Sequence, residues 1–224
     1  MDLANIDLLG LQRVLQRGTG TIIEEQEDML FLFDTVSEAY FLACDDPDKG
    51  MEVLDRHRDR EFRLLMTSDH RTGLLAFEKY GFADRLECYQ TAYYGALPEC
   101  DDRLTVRKAR EKDLPFLMRT YHLISPEEME KVVARGCMYL GYADGEIAGF
   151  IGEHLEGSMG LLYILPRFRR RGYASALEKH YIRDTMIQGM TPFGQVEKDN
   201  KISLRLQEKI GMTRSDDLIV WMWK

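Results

Sequence analysis

Four arginines, a glycine and an alanine stand together in Arg167-Phe168-Arg169-Arg170-Arg171-Gly172-Tyr173-Ala174, between an apolar run and a helical pattern. The spacing Arg169-x-x-Gly172-x-Ala174 puts small residues where a backbone can approach a ligand closely. The N–H groups of a first helical turn have no partner within the helix and point at one spot. Such a terminus favours anions, and flanking guanidinium groups strengthen it for a phosphate. The chemistry offered is recognition of a phosphorylated ligand. The pattern is common by chance, so its surroundings have to make it specific. A nucleic-acid patch would use the same arginines, but a net charge of −8 opposes the broad basic footprint such binding needs.

The loop is framed on both sides. An apolar strand is expected over 160–165, a turn opened by Pro166, and a helix over 173–186. A matching element follows: a strand at Phe193–Glu197, Asn200 as N-cap, a helix through Lys209, and Gly211 as its stop. Upstream, Leu104 to Lys108 reads as a strand and residues 111–122 as a helix. Ser125-Pro126-Glu127-Glu128 then starts another helix, with acids in the first turn. Strands at 138–142 and 147–153 flank an Asp144-Gly145 hairpin turn, and 218–223 is a closing strand with apolar residues on both faces. The first part of the chain has a helix over 5–17 ended by Gly18, then strands at 21–25, Met29–Asp34 and Ala39–Cys44. Asp46-Pro47 starts a charged helix that runs to about Arg58. A strand (62–66), a helix (72–79) and a strand (86–94) complete it.

An internal repeat organises these elements. Residues 66–82, M-T-S-D-H-R-T-G-L-L-A-F-E-K-Y-G-F, lie without a gap over 196–212, V-E-K-D-N-K-I-S-L-R-L-Q-E-K-I-G-M. Asp69 meets Asp199, and Glu78-Lys79-x-Gly81 meets Glu208-Lys209-x-Gly211. Two halves are therefore expected, 1–98 and 103–224, parted at Ala96-Leu97-Pro98-Glu99-Cys100-Asp101-Asp102. Where the first half would need a phosphate loop it has Asp45, Asp46 and Asp48, which repel a pyrophosphate. That half is expected to be structural, without a pyrophosphate site, covering part of the second half.

Strand, R-x-x-G-x-A, helix, strand, N-x-x-S, helix and K-x-G-M together resemble the GNAT superfamily of acyl-CoA-dependent N-acyltransferases, over about 104–224. The tandem arrangement with Leu165-Pro166-x-Phe168-Arg169-x-x-Gly172 looks like the glycine N-acyltransferase-related branch. The resemblance implies an α/β fold, a GNAT-like mixed sheet flanked by helices, with a degenerate GNAT-like half in front. It implies acetyl-CoA or another acyl-CoA as co-substrate and no metal. The pantetheine arm would lie where the strands around 159–165 and 193–197 splay apart, bonded by backbone groups of Leu162, Tyr163 and Ile164. The pyrophosphate would be held by Arg169, Arg170, Arg171, Gly172, Tyr173, Ala174 and Ser175. Asn200 would support the cofactor near its thioester, with Ser203 assisting.

Acyl transfer to an amine needs a deprotonated amine, a polarised carbonyl and a proton for the leaving thiolate. Free ammonium groups are mostly protonated at neutral pH, so a base is useful. A strand N–H near Ile164 would stabilise the developing oxyanion. Two departures from the family stand out. Ser158 occupies the place where many of these enzymes have Glu, which leaves Glu156, His154 and Glu153, in that order, as candidate bases. Glu156 would share a face with Ser158 if the strand extends that far. Gln207 stands where a Tyr usually serves as general acid, and Gln cannot donate a proton as an acid.

Composition sets the outer bounds. The 224 residues are 45% hydrophobic and 30% charged, ordinary for a soluble globular chain with a core. No apolar run approaches the roughly 20 residues of a membrane span, and the N-terminus lacks the pattern of a signal peptide. Cys44, Cys88, Cys100 and Cys137 are scattered, with no His at ligand spacing, and read as reduced cytosolic thiols. Cys137 reads as a packed thiol, and Trp221 and Trp223 as core residues sharing a side, one of which could line the acceptor pocket. The reading is a cytoplasmic acetyltransferase acting on a small amine or amino acid held between the halves, with neither nucleic acid nor membrane as partner. A CoA-binding scaffold that has lost turnover is the alternative, and a peptide N-acetyltransferase a third. Acceptor, acyl length and oligomeric state are not legible.

Overall fold

Local signals decide where the elements begin and end. In the computed structural model, which describes all 224 residues, Asn5 caps a 3-10 turn that leads into α1 (Leu9–Gln16), and Gly18 turns the chain at φ 70°. An antiparallel meander follows, β1 (Gly20–Gln26), β2 (Met29–Asp34) and β3 (Ala39–Cys44). The Asp46 carboxylate accepts from the Asp48 and Lys49 amides and, with Pro47 behind it, starts α2 (Pro47–Arg56). Next come β4 (Leu64–Thr67), α3 (His70–Tyr80), which Asp69 caps and Gly81 ends, and β5 (Asp84–Ala92). The chain continues through β6 (Thr105–Lys108), α4 (Leu114–Thr120), α5 (Pro126–Ala134), β7 (Met138–Ala143) and β8 (Glu146–Glu153). It closes with β9 (Met159–Ile164), α6 (Tyr173–Ile187), β10 (Phe193–Glu197), α7 (Lys201–Ile210) and β11 (Thr213–Trp223).

Three elements differ from the sequence expectation. The helix expected over 5–17 opens as a 3-10 turn at Ile6–Leu8 and is α-helical only over α1. The helix expected over 111–122 is broken into a 3-10 turn at Glu111–Asp113 and the shorter α4. Asp113 is the cause: its carboxylate accepts from the Arg107 guanidinium at 2.7 and 2.9 Å and from the Arg110 amide at 2.8 Å, which fixes a turn there. The closing strand starts at Thr213, five residues before the expected Leu218. A bulge between Arg214 and Leu218 interrupts its ladder with β5, and the buried Ser215 hydroxyl repairs it by accepting from the Gln90 amide at 3.0 Å. The polar run T-R-S-D-D hides this stretch from any hydrophobic pattern.

The chain packs as two compact units. The first comprises Met1–Ala92, Gln195–Glu208 and Met212–Lys224; the second comprises Tyr93–Gly194 and Lys209–Gly211. The units differ from the halves 1–98 and 103–224 because β11 pairs antiparallel with both β4 (Trp221↔Met66) and β5 (Trp221↔Leu86). In the first unit the strand order is β1-β2-β3-β4-β11-β5, with the Gln195–Glu197 end of β10 beside β5. One face buries Leu11, Val14, Phe41, Met66 and Trp221 under α1; the other buries Phe31, Leu54, Leu65, Ala76 and Val220 under α2 and α3. Trp221 is a core residue: its ring meets Phe41 edge-on and its indole N–H donates to Gln195 Oε1 at 2.7 Å. Trp223 packs on the same cluster. The two segments of the sequence repeat each start their helix with an Asx cap, at offset positions. Asp69 caps α3 through the Thr72 amide, whereas α7 is capped by Asn200 through the Ser203 amide. In the gapless alignment Asp69 meets Asp199, so the second cap has moved one residue on.

In the second unit β9, β8, β7 and β6 are consecutive antiparallel neighbours, and β10 joins β9 in parallel at Gly194↔Met159. α4 and α5 cover one face over Leu117, Met129, Val132, Leu140 and Phe150. α6 covers the other, so closely that a Cβ on Gly141 would meet Leu177 Cδ2 at 2.8 Å. The Asp144-Gly145 turn has both residues left-handed (φ 51° and 80°), the primed hairpin geometry expected of that pair.

Candidate functional site

Strand β9 is distorted where it matters. Its ladder with β8 runs Phe150↔Tyr163 and then Gly152↔Gly160, so two β9 residues oppose one on β8. Leu161, buried and left-handed at φ 51°, is part of this bulge. The parallel pair with β10, Gly194↔Met159, comes before it. Leu162, the other residue of the bulge, and Tyr163 and Ile164 after it are the residues expected to meet a pantetheine arm. Gly149 lets β8 hug this segment, since a Cβ there would come within 2.3 Å of the Tyr163 carbonyl oxygen.

A 3-10 turn at Pro166–Phe168 leads out of β9. Arg169 folds back, its Nε donating to the Ile164 carbonyl at 3.0 Å and its guanidinium lying over the Tyr163 ring. Arg170 and Gly172 are both left-handed (φ 59° and 87°), and α6 begins at once with no side chain capping it. Successive left-handed and helical residues can turn backbone N–H groups toward one side, a geometry that suits an anion. Arg103 braces this loop by donating to the Arg171 carbonyl at 3.3 Å, while Asp101 holds its guanidinium. Arg167 pairs with Glu146 and Arg171 lies over the Phe168 ring. Arg169 to Ser175 are thus one continuous feature of the second unit. Asn200 and Ser203 belong to the first unit and are seen only as the cap of α7.

A second cluster forms around the turn between β8 and β9. The Gly157 amide donates to the His154 carbonyl at 2.9 Å, and the His154 amide donates to the Ser158 carbonyl at 2.9 Å. Because β9 starts at Met159, Glu156 lies in this turn and does not extend a strand face. Its carboxylate is buried and accepts from the Ser158 hydroxyl. Burial pushes the Glu156 pKa up, against the opposing pull of His154 and the Ser158 bond. Glu153 is also buried, and its Oε2 accepts from the Tyr181 hydroxyl at 2.5 Å. His154 is the accessible member, its side chain 35% exposed. Burial opposes the imidazolium, but the Glu128 carboxylate, with Glu156 and Glu153, outweighs that and raises the His154 pKa.

Glu128 is the residue that sequence reasoning missed. In S-P-E-E it reads as a first-turn acid, and its amide does accept that role, donating to Ser125 Oγ at 3.1 Å. Its carboxylate, however, stands 3.5 Å from His154 Nδ1. No spacing in the sequence signals a pairing across 26 positions. Beside Glu128, residues Met118, Tyr121, Ile124, Pro126 and Met129 line a cavity of about 210 Å³.

The first unit has two open cavities. One of about 420 Å³ is lined by Thr91, Lys201, Arg205, Gln207, Met212 and Arg214, and in it the buried Gln207 accepts from Thr91 Oγ1 at 3.4 Å. The other, about 600 Å³, is acidic, with Asp7, Glu27, Asp28, Asp45, Asp69 and Asp217 among its walls. Asp45 and Asp69 sit just past the C-terminal ends of the parallel pair β3 and β4. Burial, then Asp217, Asp216 and Asp45, push the Asp7 pKa up.

Residues 138–222 match the family model described as FR47-like protein. No curated protein matches the sequence. Among solved structures, a Drosophila protein is similar over 100% of this chain and 90% of its own, at 13% identity and a TM-score of 0.71. A GCN5-related N-acetyltransferase from Kribbella flavida is similar over 98% and 94%, at 14% identity and a TM-score of 0.58. A tandem GNAT protein from the clavulanic acid biosynthesis pathway is similar over 97% and 87%, at 10% identity and a TM-score of 0.53. The fold is therefore the mixed α/β fold of GNAT structures, a large sheet flanked by helices, of a kind that a tandem GNAT protein also has. No helix is long and apolar enough to cross a membrane.

Proposed function

We propose that this chain is a GNAT-type N-acyltransferase that moves an acyl group, acetyl as the default, from coenzyme A to the amine of a small molecule or amino acid. The observation that carries this reading is the run from the β9 bulge through the left-handed Arg170 and Gly172 into an uncapped α6. It supplies an anion-binding concavity directly after a strand segment bent by its bulge. The glycine N-acyltransferase-related branch remains part of the proposal through Leu165-Pro166-x-Phe168-Arg169-x-x-Gly172.

Of the three candidate bases, His154 fits best. It is exposed enough to meet an amine, whereas Glu153 and Glu156 are buried and bonded to Tyr181 and Ser158. In this reading neutral His154 takes a proton from the ammonium form of the acceptor. The amine nitrogen then forms its bond to the thioester carbonyl carbon, and the oxyanion is met by a β9 N–H near Ile164. The carbon–sulfur bond breaks, the second amine proton passes from nitrogen to the departing thiolate directly or through water, and the imidazolium returns its proton to solvent. Glu128 orients the ring. The cavity at Met118, Tyr121 and Met129, which His122 and Ser125 also line, suits an acceptor that carries an apolar group beside a polar one. The acidic cavity of the first unit supports assigning no coenzyme A site to the first half.

Calorimetric titration with acetyl-CoA, then with longer acyl-CoAs, tests the reading, and absence of binding to all of them overturns it. The alternative, a CoA-binding scaffold, draws on Gln207, which is buried and bonded where the family has its acid. Thiol release from acetyl-CoA in the presence of an amine panel separates the two.

A further inference from the structure

Cys100 is exposed in the segment that leads to β6, and the sequence puts no histidine near it. The fold does: Cys100 Sγ lies 3.7 Å from Nδ1 of His180 on α6. The imidazole is partly buried, edge-on to the Tyr139 ring at 5.8 Å, and the Tyr139 hydroxyl donates to Asp184. Burial lowers the His180 pKa, with Asp184 opposing, so at neutral pH the ring is uncharged and has a nitrogen lone pair to offer. Cys100 opens onto a pocket of about 360 Å³ that Arg103, Gly172, Ser175, Lys179 and Lys209 also line. Arg103 is neutralised by Asp101, and Glu99 offsets one of the lysines, which leaves a single positive charge in excess.

We propose that Cys100 is a redox-modified thiol, that His180 is its base, and that the pocket admits a small anionic disulfide, for which oxidised glutathione is the probe. Nδ1 of His180 accepts the thiol proton and the Cys100 thiolate attacks one sulfur of the disulfide. A sulfur–sulfur bond to Cys100 forms as the bond within the disulfide breaks. The departing thiolate takes the proton back from the imidazolium. Cys100 is oxidised and the disulfide reduced, with no other oxidant needed. Gly172 and Ser175 line the same pocket, so the adduct crowds the start of α6. That last consequence rests on the proposed coenzyme A site; the thiol chemistry does not.

The full chain is treated with oxidised glutathione and followed by intact mass and peptide mapping. Cys100 is expected to react at least about tenfold faster than the half-buried Cys137, and His180→Asn to slow it about tenfold with an unchanged melting temperature. Lys179→Glu with Lys209→Glu should slow glutathione but not the cationic disulfide cystamine. Equal rates at Cys100 and Cys137, or no effect of His180→Asn, overturns the proposal. Acetyl-CoA titration of the modified chain should show weakened binding. If the modified and unmodified chains bind equally well, the link to the loop is wrong; if neither binds, the acyltransferase reading fails while the thiol result stands.

Discussion

His154 Nδ1 stands 3.5 Å from Glu128 Oε1, and the same imidazole rests on Gly160, where an added Cβ would meet the ring at 2.7 Å. One contact holds the ring's charge and the other its place against β9. The imidazole is thereby oriented from two elements far apart in sequence, which is what a positioned proton acceptor requires.

His154→Asn is expected to lower kcat about a hundredfold in steady-state acetyltransferase assays, with little change in acetyl-CoA affinity by calorimetry. Loss of affinity without loss of kcat would remove His154 from the chemistry.

The pH profile follows from the direction of the His154 shift. A base acts when neutral, so kcat/KM should rise with pH through a pKa above the ordinary histidine value. Glu128→Gln removes the carboxylate that stabilises the imidazolium, and the rising limb should move to lower pH. An unmoved limb would mean that another group titrates.

Gly172→Asp places a carboxylate in the proposed anion site and should abolish acetyl-CoA binding while leaving far-UV circular dichroism unchanged. Gly172 has φ 87°, so Gly172→Ala is the control for backbone strain, about 1 kcal/mol. Retained coenzyme affinity in the aspartate variant would sink the loop assignment.

Glu87 reports on stability. Lys198, first, and then His70 hold its pKa down to about 2, with Lys198 Nζ at 2.8 Å and His70 Nε2 at 2.7 Å. A carboxylate depressed in the folded state adds stability above its unfolded pKa and loses it as pH falls through the folded value. Glu87→Gln should therefore cost about 1–2 kcal/mol near neutral pH, after allowance for solvent screening. The gap to the parent chain in chemical denaturation should close between about pH 4.5 and pH 2. A gap independent of pH would count against the ion pair.

Close packing gives a further test. A Cβ at Gly73 of α3 would lie 2.5 Å from Val220 Cβ and 2.6 Å from Thr67 Oγ1. Gly73→Ala should lower stability by about 1–3 kcal/mol, read from the urea midpoint, because neither β-branched neighbour can give way without moving its strand.

What the residues announced on their own was local chemistry. Asp46 before Pro47, Ser125 before Pro126, Asp144-Gly145 and Gly172 before Tyr173 each act on backbone groups within a few positions, so their caps and turns can be read in order along the chain. The loop at 169–175 and its flanking strand and helix belong to this class, and they carry the resemblance to GNAT proteins. The placement of β11 between β4 and β5, the bulge at Leu161, Glu128 beside His154 and His180 beside Cys100 belong to another. Each joins residues that share no periodicity and whose partners are chosen by which sheet edge and helix face come together. A side chain reaches only a few ångströms, and which groups fall within that reach depends on packing the whole core.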